Sequence, residues 1–167
     1  MARKKQQAQN YEPRIANRKA HHDYHIGEKL ECGIQLLGTE VKSVRLGRVQ
    51  LAEGYAVIEQ DRSDPSSRPQ LMLMNVDIGH YPHAGDRQHA TRRPRRLLAH
   101  RRQIDKFAGL ASTKGVTIVP LAMYFVRGRI KLEIGLGTGK KQFDKRQDLK
   151  KKQTDRDIQR AMTRKVL

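Results

Sequence analysis

Gly135-Leu136-Gly137-Thr138-Gly139-Lys140-Lys141 has the outline of a phosphate-binding loop. A P-loop needs four residues between its first Gly and its Gly-Lys pair, and a Ser or Thr after the Lys to reach Mg2+. Neither feature is present. The stretch reads instead as a flexible strand exit whose two lysines meet RNA phosphates, the contacts that dominate nucleic-acid affinity. His21, His22 and His25, with His80, His83 and His89, are the next candidates, because two of the first three lie four residues apart. No H-E-x-x-H or C-x-x-C frame accompanies them, so a metal site is a weak reading. Stacking on bases or bonding to phosphate is the better functional one, with plain surface exposure as its alternative. No G-x-S-x-G string and no catalytically spaced carboxylate pair is found, so nothing in the sequence argues for an enzyme.

The charge balance points to a polyanion. The 167 residues carry 35 Lys and Arg against 17 Asp and Glu, a net charge of +18 with a pI near 10.5. That charge is segregated. Residues 1–19 hold six basic and one acidic residue, residues 87–106 eight and one, and residues 139–167 eleven and four, which leaves the remainder at −1. A protein basic only for solubility has little reason to sort its charge in this way. Cys32 is the single cysteine, so packing alone must hold the fold, and a reducing cytoplasm suits it. The first ten residues are basic and polar with no apolar run behind them, so they read as neither signal peptide nor anchor, and no membrane is expected as partner. Five Tyr, three Phe and no Trp do not support an RRM, whose sheet stacks bases on paired aromatics.

These residues need a scaffold. Leu30, Cys32, Ile34 and Leu36 alternate, which predicts a strand over 30–36. Leu37, Val41 and Val44 recur at helical spacing, with Thr39 placed to cap, Glu40 placed for the dipole and Gly47 to close: a short helix. Strands are expected at 55–59 and 71–76, separated by an exposed loop over 61–69. Residues 93–111 predict one longer helix, with Pro94 in its first turn and Leu97, Leu98, Ile104, Phe107, Ala108 and Ala111 on one stripe. Arg95, Arg96, Arg101, Arg102 and Lys106 take its other side. Residues 116–125 and 129–136 read as strands of a hairpin turning at Arg127-Gly128. The whole is mainly β: a small antiparallel β-barrel with one longer and one short helix. From Gly139 to Leu167, Ile158, Met162 and Val166 make one thin apolar stripe on a charged sequence, so this basic tail should be disordered when free and fold only against a partner.

Several strings, in order, resemble the SmpB family, the SsrA-binding proteins, from about Ile15 to Met162. They are Asn17-Arg18-Lys19-Ala20 with His22-Asp23-Tyr24, Glu31-Cys32-Gly33-Ile34, and Gly38-Thr39-Glu40-Val41-Lys42-Ser43. Further along come Arg96-Leu97-Leu98-Ala99-His100-Arg101, Val119-Pro120-Leu121 with Tyr124-Phe125 and Gly128-Arg129, then Gly139-Lys140-Lys141 and Asp144-Lys145-Arg146. The chain departs from the family pattern at Ala90 to Pro94, where Asp-Pro is usual, and at Cys32, where Ala is usual.

The resemblance implies an oligonucleotide-binding-type barrel over 15–138, after a flexible basic N-terminus (1–14) and before the tail (139–167). It implies a non-enzymatic adaptor, monomeric and without cofactor, that binds the tRNA-like domain of transfer-messenger RNA. Trans-translation on stalled ribosomes would follow, with a link to elongation factor Tu through the RNA complex. RNA binding falls to Asn17, Arg18, Lys19, His22, Tyr24, Glu31, Lys42, Leu98, Arg129 and Lys131. Contact with the decoding centre and the vacant mRNA channel falls to Lys140, Lys141, Asp144, Lys145, Arg146, Ile158 and Met162. The alternative is a ribosomal or ribosome-assembly protein with a basic tail, and the rival from another class is a metal-dependent RNA-processing enzyme.

Overall fold

The Arg127-Gly128 dipeptide turns the longest hairpin of the molecule. Both residues have positive φ, +50° and +73°, as a two-residue turn matched to strand twist requires. In this computed structural model, which describes residues 12–60 and 68–164, the hairpin joins β8 (Val116–Val126) to β9 (Arg129–Gly139). Side chains 146–152, 155, 161, 163 and 164 lie outside the description, as do residues 61–67 of the expected loop, residues 1–11, and Val166 of the tail stripe. The hairpin shifts register once, between Pro120 and Ala122, because a proline cannot donate to the ladder.

Around it the chain lays down β1 (Ile15–Ala16), α1 (Arg18–Asp23), β2 (Tyr24–Ile34), α2 (Gly38–Arg45), β3 (Val49–Gln50), β4 (Tyr55–Glu59), β5 (Gln70–Met74) and β6 (Asp77–Ile78). Next come β7 (Arg95–Leu98) and α3 (Arg101–Ala111), before the hairpin, and α4 (Gln142–Arg164) after it. Strand order is β1-β8-β4-β5-β7-β2-β9, and β9 pairs back onto β8, so the antiparallel sheet closes on itself. Closure removes the open edge that an isolated sheet would expose. Leu30, Cys32, Leu71, Leu73, Leu97, Ile118, Met123, Leu132 and Ile134 fill the interior, with Val44 from α2 and Phe107 from α3 closing onto it. Each such side chain contributes about 1.5–3 kcal/mol by leaving water.

The expected helix over 93–111 is corrected: its first part is strand β7, and the helix begins only at Arg101. Arg95 and Leu97 point inward and Arg96 and Leu98 outward, a period of two that fills the gap between β5 and β2. The buried residue is an arginine, and that hid the alternation. Arg95 has no solvent exposure because Glu40, equally buried, meets it. The helix start is marked by Gln103, whose Oε1 accepts from the backbone N–H of His100 at 3.0 Å.

Smaller corrections share one cause, local patterns interrupted by tertiary needs. β2 begins at Tyr24 rather than at 30, and an irregularity between Ile26 and Lys29 broke the alternation. The cap of α2 is at Leu37, not Thr39, and Glu40 reaches back to the Leu37 N–H at 2.7 Å. Thr39 Oγ1 instead meets Nδ1 of buried His89 at 3.0 Å. Leu37, placed on the buried stripe by its spacing, is exposed. Helix α1 was not foreseen, and the tail carries helical backbone, α4, whose described side chains after Lys145 are exposed.

Candidate nucleic-acid interface

Helix α1 is short and is held in place from below. Asn17, at 4% exposure, caps it by accepting from the Ala20 N–H at 3.0 Å, while its Nδ2 donates to the carbonyls of Leu51 (3.0 Å) and Pro120 (2.8 Å). Its side chain is therefore spent inside the protein. Asn17 fixes the start of α1 from inside the fold, and beside it Arg18 and Lys19 are exposed, with Lys19 Nζ meeting Glu53 at 2.6 Å. His22 Nδ1 lies 2.9 Å from Asp23 Oδ1. Tyr24 packs on β9 at Gly137, where an added Cβ would sit 3.1 Å from its ring, tighter than most side-chain contacts, so glycine suits the close approach.

A second group occupies the outer face of the β2, β8 and β9 strands. The Tyr124 hydroxyl donates to Glu31 Oε2 at 2.5 Å, and Lys131 Nζ lies 3.4 Å from Glu31 Oε1. Register explains the grouping, since Tyr124 faces Lys131 and Glu31 faces Glu133 across the ladders. The Tyr124 bond, then Lys131, holds the Glu31 carboxyl below its ordinary range, and the same bond pushes the Tyr124 hydroxyl up to about 12. Arg14 stacks over the Tyr124 ring at 5.3 Å and lies 3.9 Å from Glu133, which Lys29 approaches at 3.5 Å. Beside this cluster a groove of about 480 Å³ is lined by Gly33, Leu36, Val41, Leu98, Arg129 and Lys131, among others. Leu98 is 52% exposed there, an apolar surface framed by two cations and suited to a base or sugar face.

Lys42 stands on α2, its Nζ 5.1 Å from the Tyr81 ring centroid. The tail residues divide at their base. Lys140 Nζ donates to the His21 carbonyl at 2.9 Å, Lys145 Nζ meets Asp23 at 2.7 Å, and Asp144 faces His25 at 3.5 Å, while Lys141 is exposed. Ile158 and Met162 are exposed along α4, and the side chain of Arg146 lies outside the description.

The expected RNA-binding residues thus form more than one patch. His22 and Tyr24 stand where β2 begins, beside the tail, and Glu31 and Lys131 stand seven residues along it, on the order of 20 Å away. The histidines do not assemble: His22 turns to Asp23 and His25 to Asp144, and no group of three potential metal ligands occurs among the described residues. Tyr124, Arg14 and Asp23 carry contacts at these sites that residue types alone did not announce. The first was accessible by counting back from the Arg127-Gly128 turn, which sets Tyr124 opposite Lys131. No helix among the described residues is long and apolar enough to cross a membrane.

Comparison with known proteins bears on the chain as a whole. An SsrA-binding protein of Kineococcus radiotolerans is 46% identical over 148 residues, 89% of this chain and 90% of that one. One from Corynebacterium diphtheriae is 43% identical over 164 residues, covering 98% and 96%. A solved structure described as "tmRNA-SmpB: a journey to the center of the bacterial ribosome" superposes with a TM-score of 0.64 at 40% identity, over 78% of this chain and 86% of the other. The family model for the SmpB protein matches residues 14–164, which takes in the barrel and all of α4, and the chain belongs to the SmpB family.

Proposed function

We propose that the chain binds the tRNA-like domain of transfer-messenger RNA and carries it to stalled ribosomes for trans-translation. The observation that carries this reading is the extent of the family match, which runs unbroken through the RNA-facing barrel and the basic tail. A structural relative named for tmRNA and SmpB together, and described in the ribosome, supports it. In this reading the barrel over 15–138 is the RNA-binding domain, and the tail from 139 recognises the vacant mRNA channel and the decoding centre.

The chemistry is binding, without catalysis. Leu98 and the groove around it pack on a nucleotide face, while Arg129 and Lys131 neutralise phosphate. Glu31 holds Lys131 and Tyr124 in place; its carboxylate is already occupied, which favours orientation of a neighbouring cation over direct reading of a base. Arg18, Lys19, His22 and Tyr24 form the second contact surface, next to the tail residues that reach the ribosome. Lys42 adds a cation on α2.

The experiment is capture and sequencing of RNA that co-purifies with the chain, followed by affinity for that RNA against a duplex of equal length. One small structured RNA with a tRNA-like end is expected. Uniform retention on all ribosomes, with no such RNA, would instead mark a ribosomal protein. Neutralising about five phosphates gives a slope of log affinity against log salt on the order of −4, and a flat response would refute the electrostatic face.

A further inference from the structure

The tail leaves the barrel under constraint. The last pair of the β2–β9 ladder is Tyr24 with Gly139, and only Lys140 and Lys141 separate that pair from the start of α4. This short link is tied down along its length. The Lys140 N–H donates to the Asp23 carbonyl at 2.8 Å, and Lys140 Nζ donates to the His21 carbonyl. At the entry to α4 the Lys141 N–H donates to Asp144 Oδ2 at 3.1 Å, the reach-back half of a capping box, and His25 Nε2 lies 3.5 Å from that same oxygen. One turn in, Lys145 Nζ reaches Asp23 Oδ1 at 2.7 Å, with both side chains half-buried, and the His22 ring shares that same oxygen.

Lys140, Asp144 and Lys145, which the family resemblance assigns to the ribosome, therefore face α1 and the start of β2. At the start of α4 the exposed side chains are those of Lys141, just before the helix, Gln142, and Phe143, which is 68% exposed. Direction matters because the helix is long. Its 23 residues span roughly 34 Å, so a rotation of about 10° at the base moves its far end by roughly 6 Å.

We propose that Asp23 is a positioning residue for the tail: with Lys145 it forms an ion-pair latch that sets the direction in which α4 leaves the barrel. The inference rests on the ribosome role of the tail proposed above. It reassigns Lys145 from a cation that touches ribosomal RNA to one that aims the helix. The lowered pKa of Asp23, caused first by its bond from Lys145 and then by His22, is consistent with a pair already made in the free chain.

Charge reversal separates the two roles, because a latch needs opposite charges in either order whereas a contact to RNA needs a cation at 145. Peptide tagging is measured with the full-length chain, transfer-messenger RNA and stalled ribosomes. Asp23→Lys and Lys145→Asp alone should each lower tagging about tenfold, and the two together should restore it to within about threefold of wild type. A double variant no better than Lys145→Asp, or single reversals without effect, overturns the latch. In the free chain, Asp23→Lys should speed amide exchange at Lys145 about tenfold, and the double variant should reverse the change. An unchanged rate there overturns the latch whatever the ribosome assay gives. Failure of the wild-type chain to bind the tRNA-like domain would instead remove the function while leaving the exchange result standing.

Discussion

Residues 87–106 and residues 139–167 each carry seven net positive charges, yet they use them in different ways. In the first stretch most cations are paired within the fold: Arg92 meets Asp77, Arg93 and Arg95 meet Glu40, Arg101 meets Asp105, and Lys106 meets Glu28. Arg95 goes further and becomes core. Its guanidinium donates to Glu40 Oε1 at 2.9 Å and to the carbonyls of Val76 (2.7 Å), Thr91 (2.7 Å) and Arg93 (3.1 Å), which binds α2, the 75–93 segment and β7 into one unit. In the second stretch the ion pairs among the described residues, Lys145 with Asp23 and Asp144 with His25, lie at the start of α4. The difference teaches that a count of cations is not a measure of charge offered to RNA; what decides is whether the fold brings a carboxylate or a row of carbonyls to each one.

Removal of residues 142–167 should have the largest effect on function and little on the body. Tagging of stalled peptides should fall to background, while urea stability changes by no more than about 0.5 kcal/mol. A large loss of stability would show that α4 is packed into the fold, and the contrast between the two stretches would collapse. Within the first stretch, Arg95→Met should cost roughly 3 kcal/mol in urea denaturation, because it strands a buried carboxylate and orphans carbonyls. Lys106→Met, which breaks an exposed pair, should cost under about 0.5 kcal/mol. Equal effects from the two would erase the distinction drawn between buried and exposed cations.

Acid should test the same cluster more gently. Burial pushes the Glu40 carboxyl up, but the bonds from Arg93 and the Leu37 N–H, together with Arg95, outweigh it and hold the pKa below its ordinary value of 4.5. A lowered folded pKa means that the stabilisation is complete above 4.5 and is lost as pH falls through the folded value. The stability gap between wild type and Glu40→Gln, from denaturation at a series of pH values, should accordingly be constant near neutrality and narrow below pH 4.5. A gap that widens in acid would reverse the sign assigned here. The last test belongs to the exposed cluster. Glu31→Gln should bring the Tyr124 titration, followed by ultraviolet absorbance, down from about 12 toward 10. It should also weaken binding to the tRNA-like domain about fivefold, as expected for one hydrogen bond lost from an orienting group. Unchanged titration would remove Glu31 from Tyr124.

Much of this protein was accessible from its residues. Alternation marked the half-buried strands, the Arg127-Gly128 pair set the hairpin register, and Gly47, at φ +71°, closed α2 as its position predicted. Segregated charge pointed to a polyanion, and the ordered strings pointed to the family. These are local properties, or sums over the chain, and need no knowledge of what lies across the fold. What only the tertiary structure decided was the partner of each charge. Arg95 reads as solvent-facing by its type and is buried because Glu40, 55 residues earlier, neutralises it inside the barrel. Lys145 reads as a free cation of the tail and is held by Asp23, 122 residues away. Ion pairing acts through space over a few ångströms and leaves no periodicity along the chain, so only the closed sheet, by setting α2 against β7 and the end of β9 against α1, could reveal it.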